Sequence, residues 1–200
     1  MVLEQLTEKE KDVIIEIANI GSGNASRALS QLCGCKIEPM KPELLFLSEK
    51  EMGKHIDGNQ KRIVWGGVDI NGNIEGQALF VFEEEHSSRL MRVITKKAEI
   101  MALEEMLESG FKEIFNIFTG NYLAAMANLL GIKIMHSLPK LTIGSPRLII
   151  ESIFKKRGVD EVIGVKTVIH LEGSDIYGFF MLALDEVNLR KFLSYIERKF

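Results

Sequence analysis

Residues 12–42, DVIIEIANIGSGNASRALSQLCGCKIEPMKP, recur as residues 109–139, SGFKEIFNIFTGNYLAAMANLLGIKIMHSLP, without a gap. Glu16 falls on Glu113, Asn19 on Asn116, Gly23 on Gly120, Asn24 on Asn121, Gly34 on Gly131 and Pro42 on Pro139, all at an offset of 97. A repeat of this kind bears on architecture before any single motif does. A second stretch follows at an offset of 102, where Ile74-Glu75-Gly76 and the apolar run after it align with Ile176-Tyr177-Gly178 and its run. One small loop insertion accounts for the change in offset. The chain therefore reads as a tandem duplication, with repeats of about 1–98 and 99–200 and a seam near residues 98–101.

Each copy opens with apolar residues at helical spacing, from Val13, Ile14, Ile17 and Ala18 in the first and from Phe111, Ile114, Phe115 and Phe118 in the second. Gly34 and Gly131 stand where a helix C-cap places glycine. Extended runs follow at 36–38, 62–65, 77–82, 162–171 and 178–184, and further amphipathic helices at 84–97 and 186–198. Ser145 and Pro146 read as the N-cap and first residue of a short helix to about 157. Turns at Asp69–Gly72 and Gly173–Asp175 imply antiparallel hairpins. The expectation is one α+β domain over 1–200, with internal pseudo-twofold symmetry and long amphipathic helices packed on a sheet built from both halves.

With 46% hydrophobic and 26% charged residues in 200, the composition is that of a globular protein able to bury a sizeable core. Twenty-five Lys plus Arg against 28 Asp plus Glu leaves a net charge of −3, without the basic footprint of a nucleic-acid binder. The first ten residues are charged and lack an apolar signal core, and no apolar run approaches the roughly 18–20 residues of a membrane span. A cytoplasmic protein without membrane insertion is expected. Cys33 and Cys35 flank Gly34, too close for an unstrained bridge and without the second pair that zinc requires, so they read as reduced thiols.

The stretch Gly21-Ser22-Gly23-Asn24-Ala25-Ser26 fails as a dinucleotide loop, because Ser26 replaces the third glycine and the second copy keeps only Gly120. Gly23 and Gly120 read instead as small helix residues that let another element or a partner approach closely. His55, His86, His136 and His170 are isolated, and neither a nucleophile elbow nor a Walker loop is present. The chain's own metal, nucleotide and covalent-nucleophile chemistries are disfavoured. What remains is two polar stripes. Positions i, i+4 and i+7 share one helix face, aligning Asp12, Glu16 and Asn19 in one copy and Ser109, Glu113 and Asn116 in the other. Asn is a poor residue for a helix interior, yet Glu and Asn are kept alike in both copies where the surrounding surface has diverged.

These residues resemble the CheC/CheX/FliY phosphatases of bacterial and archaeal chemotaxis. That family's motif is Asp or Ser, three residues, Glu, two residues, Asn, twenty-two residues and Pro. The sequence carries it twice, as Asp12, Glu16, Asn19, Pro42 and as Ser109, Glu113, Asn116, Pro139. Two motifs without an appended switch domain resemble the CheC branch. The resemblance implies hydrolysis of the aspartyl phosphate of the response regulator CheY, with Glu16 and Glu113 docking the regulator's Lys, and Asn19 and Asn116 orienting the attacking water. It implies that Asp12 and Ser109 cap or orient the Glu, and that Pro42 and Pro139 fix a turn. No cofactor is expected in the chain itself; Mg²⁺ is carried by the regulator. The resemblance also implies docking to the receptor deamidase CheD, so a binding module with little catalysis is the alternative. Duplication already supplies two halves, so a monomer is expected. Phe118, where the first copy has Gly21, either fills a pocket on the regulator or turns into the core.

Overall fold

The computed structural model describes residues 6–50, 62–95, 104–155 and 158–199. The elements run α1 (Glu8–Cys33), β1 (Ile37–Pro39), β2 (Glu43–Ser48), β3 (Ile63–Gly72), β4 (Gly76–Glu83), α2 (Glu84–Thr95) and α3 (Glu104–Leu130), then β5 (Ile134–His136), β6 (Lys140–Gly144), α4 (Arg147–Ile150, continued by a π turn over Glu151–Lys155), β7 (Glu161–Leu171), β8 (Tyr177–Leu184) and α5 (Glu186–Lys199). The fold is α+β, helices on an antiparallel sheet.

Helix α1 starts at a capping box: Glu10 N donates to Thr7 Oγ1 at 3.2 Å, and Thr7 N donates to the Glu10 carboxylate at 2.6 Å. It ends at Gly34, whose φ of 64° lets its N–H reach Ser30 O at 2.9 Å. Helix α3 ends the same way at Gly131, φ 67°, with Ile132 N donating to Ala127 O at 3.0 Å.

The sheet runs β1-β7-β8-β4-β3-β5, with β2 also on β7 and β6 also on β3. Strands β1 and β2 therefore pair with a strand more than a hundred residues later, and β5 and β6 pair back onto β3. The β4–β8 pair joins the two sides at the centre, with Phe80 opposite Phe180. Every strand pairing is antiparallel.

Strand β4 is buried along nearly its whole length because both of its faces are covered. Ala78, Phe80 and Phe82 join the larger core under α1 and α3, while Leu79 and Val81 join a second cluster under Ile149, Ile153 and Phe154 of α4 and its π turn. Phe80 lies 4.8 Å from Phe118 and 5.1 Å from Phe115, centroid to centroid. Gly66, on the neighbouring strand, is required here: a Cβ would overlap the Phe115 ring. Helices α1 and α3 pack on each other, and a Cβ on Gly21 would come within 3.0 Å of the Tyr122 ring.

Several boundaries differ from expectation. The turn expected at Asp69–Gly72 lies inside β3, which runs on to pair Ile70 with His136 and Gly76, so the chain reverses over residues 73–75. Helix α4 begins at Arg147 with Pro146 as its N-cap, because Ser145 supplies only its backbone carbonyl and a long 3.3 Å contact from Oγ to Arg147 N. Helix α2 is described to Thr95, and the seam at 98–101 lies outside the described residues. The small-residue contact belongs to Gly21. Two residues further round the helix, Gly23 faces open space, and Gly120 meets only His136.

Candidate functional site

On α1, Asp12, Glu16 and Asn19 form one exposed stripe beside the buried stripe of Ile14, Ile17 and Ala18. On α3, Ser109 and Glu113 are exposed and Asn116 is half-buried, beside buried Ile114, Phe115 and Phe118. Packing thus fixes the rotation of each helix and leaves the stripe outward. The lysines nearest in sequence are taken up one turn away, Lys11 by Glu8 at 2.7 Å and Lys112 by Glu108 at 2.5 Å. Among the described residues, the Glu16, Asn19, Glu113 and Asn116 side chains have no hydrogen-bond or ion-pair partner in the fold. Two carboxylates and two carboxamides are therefore free to meet an external surface.

The residues expected to support them sit differently. No hydrogen bond joins Asp12 to Glu16 or Ser109 to Glu113; in the first pair two carboxylates at i, i+4 repel. Pro42 and Pro139 are buried where β1 gives way to β2 and β5 to β6. Asn24 and Asn121 turn back along their own helices, each Nδ2 donating at 2.8 Å to a carbonyl four residues back, on Ile20 and Ile117. Phe118 is fully buried against Phe80 and Phe180, so it belongs to the core.

Cys33 and Cys35 are free thiols. Burial, with Cys35 beside it, pushes the Cys33 thiol up to about 12, which holds it protonated, and burial also raises Cys35. Among the described residues no three His, Cys, Asp or Glu side chains cluster as metal ligands, and no helix is long and apolar enough to cross a membrane. One neighbour of the second stripe escaped the sequence reading: Nε2 of half-buried His136 lies 3.6 Å from where a Cβ on Gly120 would stand. The histidine is isolated in sequence, and only its strand brings it to α3.

The sequence profile of the CheC-like family matches residues 10–44, the segment that carries Asp12, Glu16, Asn19 and Pro42. That segment is similar to the CheC-like family. It is 23% identical over 146 residues to the Bacillus subtilis protein named CheY-P phosphatase CheC, covering 71% of this chain and 70% of that one. The fold of this chain matches Thermotoga maritima FliY with a TM-score of 0.74 at 23% identity, over 98% of this chain and 99% of that one. It also matches a Borrelia burgdorferi CheX, solved as a CheX–CheY complex with BeF₃ and Mg²⁺, with a TM-score of 0.58 at 15% identity over 86% and 99% of the two chains. At these identities the solved structures speak for the fold alone.

Proposed function

We propose that this chain hydrolyses the aspartyl phosphate of a CheY-type chemotaxis response regulator at two composite centres, Glu16 with Asn19 and Glu113 with Asn116. The observation that carries the reading is the pair of matching Glu/Asn stripes, unpartnered within the fold and held outward by two packed helices. An acyl phosphate is already activated, so its hydrolysis chiefly needs a water held in line with the leaving carboxylate. A neutral carboxamide suits that task. It accepts from and donates to the water without repelling the phosphoryl oxygens. Each Glu pairs with a cation on the regulator, anchoring the helix so that its Asn enters the partner's site. Mg²⁺ bound by the regulator supplies charge neutralisation at the phosphoryl group. The reading goes with a cytoplasmic monomer that arose by duplication.

The test is decay of the phosphorylated regulator with Asn19→Ala, Asn116→Ala and the double variant. Each single variant retains partial activity, with kcat lowered and KM little changed, and the double variant loses it. Glu16→Ala and Glu113→Ala also raise KM. Full activity in the double variant overturns the Asn mechanism. A regulator that decays at the same rate with and without this chain, whether or not CheD is present, would instead favour the CheD-docking alternative.

A further inference from the structure

On α3 the polar stripe does not end at Asn116. Gly120 follows on the same face, about 6 Å further along the axis, and the His136 ring is set against it with Nε2 3.6 Å from the vacant Cβ position. The ring is held in place. Its Nδ1 lies 2.9 Å from Ser137 O, and since a carbonyl only accepts, Nδ1 carries the proton and Nε2 is the ring nitrogen turned toward Gly120. Ser137 is in turn anchored to β3, donating from N to Asp69 O at 2.9 Å and accepting at Oγ from Asp69 N at 3.0 Å. Just beyond it, Leu138 is 81% exposed.

The first centre has no counterpart. A Cβ on Gly23 would have nothing within 4 Å. The offset of 97 that pairs the two motifs sets Pro39 against His136 and Lys41 against Leu138. Two otherwise matching stripes therefore differ in one fixed imidazole.

Resting on the reading that both stripes dock a phosphorylated response regulator, we propose that His136 is a specificity-determining residue of the second centre, its Nε2 accepting a hydrogen bond from a donor on the docked regulator one turn beyond Asn116. The second centre then selects regulators that present an N–H or O–H group at that place. The first centre is indifferent to it.

The experiment isolates each centre, the second in an Asn19→Ala background and the first in an Asn116→Ala background. His136→Ala is expected to raise KM for the phosphorylated regulator roughly three- to tenfold in the Asn19→Ala background, the weight of one neutral hydrogen bond, with kcat retained. That rise exceeds any change in the Asn116→Ala background. His136→Gln, which places an amide near the former Nε2, restores KM, whereas His136→Asn, which replaces only the Nδ1 side of the ring, does not. Equal changes in both backgrounds, an unaltered KM, or rescue by Asn and not by Gln would overturn the proposal and leave His136 as a brace for β5. If the parent chain shows no turnover, the phosphatase reading falls separately. His136→Ala titrated with beryllofluoride-loaded regulator, with the second centre isolated by Glu16→Ala and the first by Glu113→Ala, then decides the role of His136 by Kd.

Discussion

Side-chain room differs sharply among the glycines of this chain, and the consequences are opposite in sign. At Gly66 a methyl group would enter the buried Phe115 ring, which already packs against Phe80 and Phe111. Gly66→Ala is expected to cost at least about 1–3 kcal/mol of stability by urea denaturation. Gly23 sits on α1 with open space where its Cβ would be, so Gly23→Ala is expected to stabilise by up to about 1 kcal/mol, the difference in helix propensity. The thiols give a second prediction at this scale. With buried Cys33 raised to about 12, little thiolate exists there at pH 8, so iodoacetamide should leave Cys33 unlabelled in the folded chain and label it in urea, as read by mass spectrometry.

Among the elements, α1 carries its own start and stop signals. Thr7, Glu10 and Gly34 are recognisable in the sequence and act locally, within four residues of the groups that they cap. Thr7→Ala removes the Oγ1 that accepts from Glu10 N and donates to the Glu10 carboxylate, leaving that carboxylate only the backbone N–H of residue 7, and a loss of about 1 kcal/mol is expected, measured by thermal unfolding. The strands are less self-sufficient. β2 (ELLFLS) and β6 (KLTIG) are short, partly exposed pieces that follow a proline, and each is a strand because β7 or β3 offers it a ladder. No alternation of buried and exposed residues marks them, which is why they are absent from the sequence reading. The same holds for the end of β3, where Asn71 and Gly72 look like a turn but pair with Met135 and Ile134 of β5.

At the scale of the whole molecule, the halves exchange their edges. The ladder from Glu43–Lys166 to Ser48–Glu161 supplies β7 with a neighbour from the other half, and Ile63–Gly144 does the same for β3. Neither fragment has the partners it needs. Residues 1–98 and 99–200 expressed separately are expected to be unfolded or aggregated by circular dichroism, with native signal returning on mixing. A fragment that folds alone as a monomer would show that the exchange is dispensable. The same architecture packs both helices, α1 and α3, on one sheet, so the two proposed centres share one support.

The long helices, their glycine stops and the twice-written Glu, Asn and Pro spacing follow from the sequence by itself, because helix hydrogen bonds close within four residues and stamp a 3.6-residue period on the chain. Strand partners do not, since a ladder such as Leu44–Val165 joins residues far apart whose pairing no local spacing records. Tertiary structure alone therefore decided which of Gly21 and Gly23 is crowded, that Phe118 turns into the core, and that β5 carries His136 to the side of α3. Each of these depends on which remote surface packs against the residue.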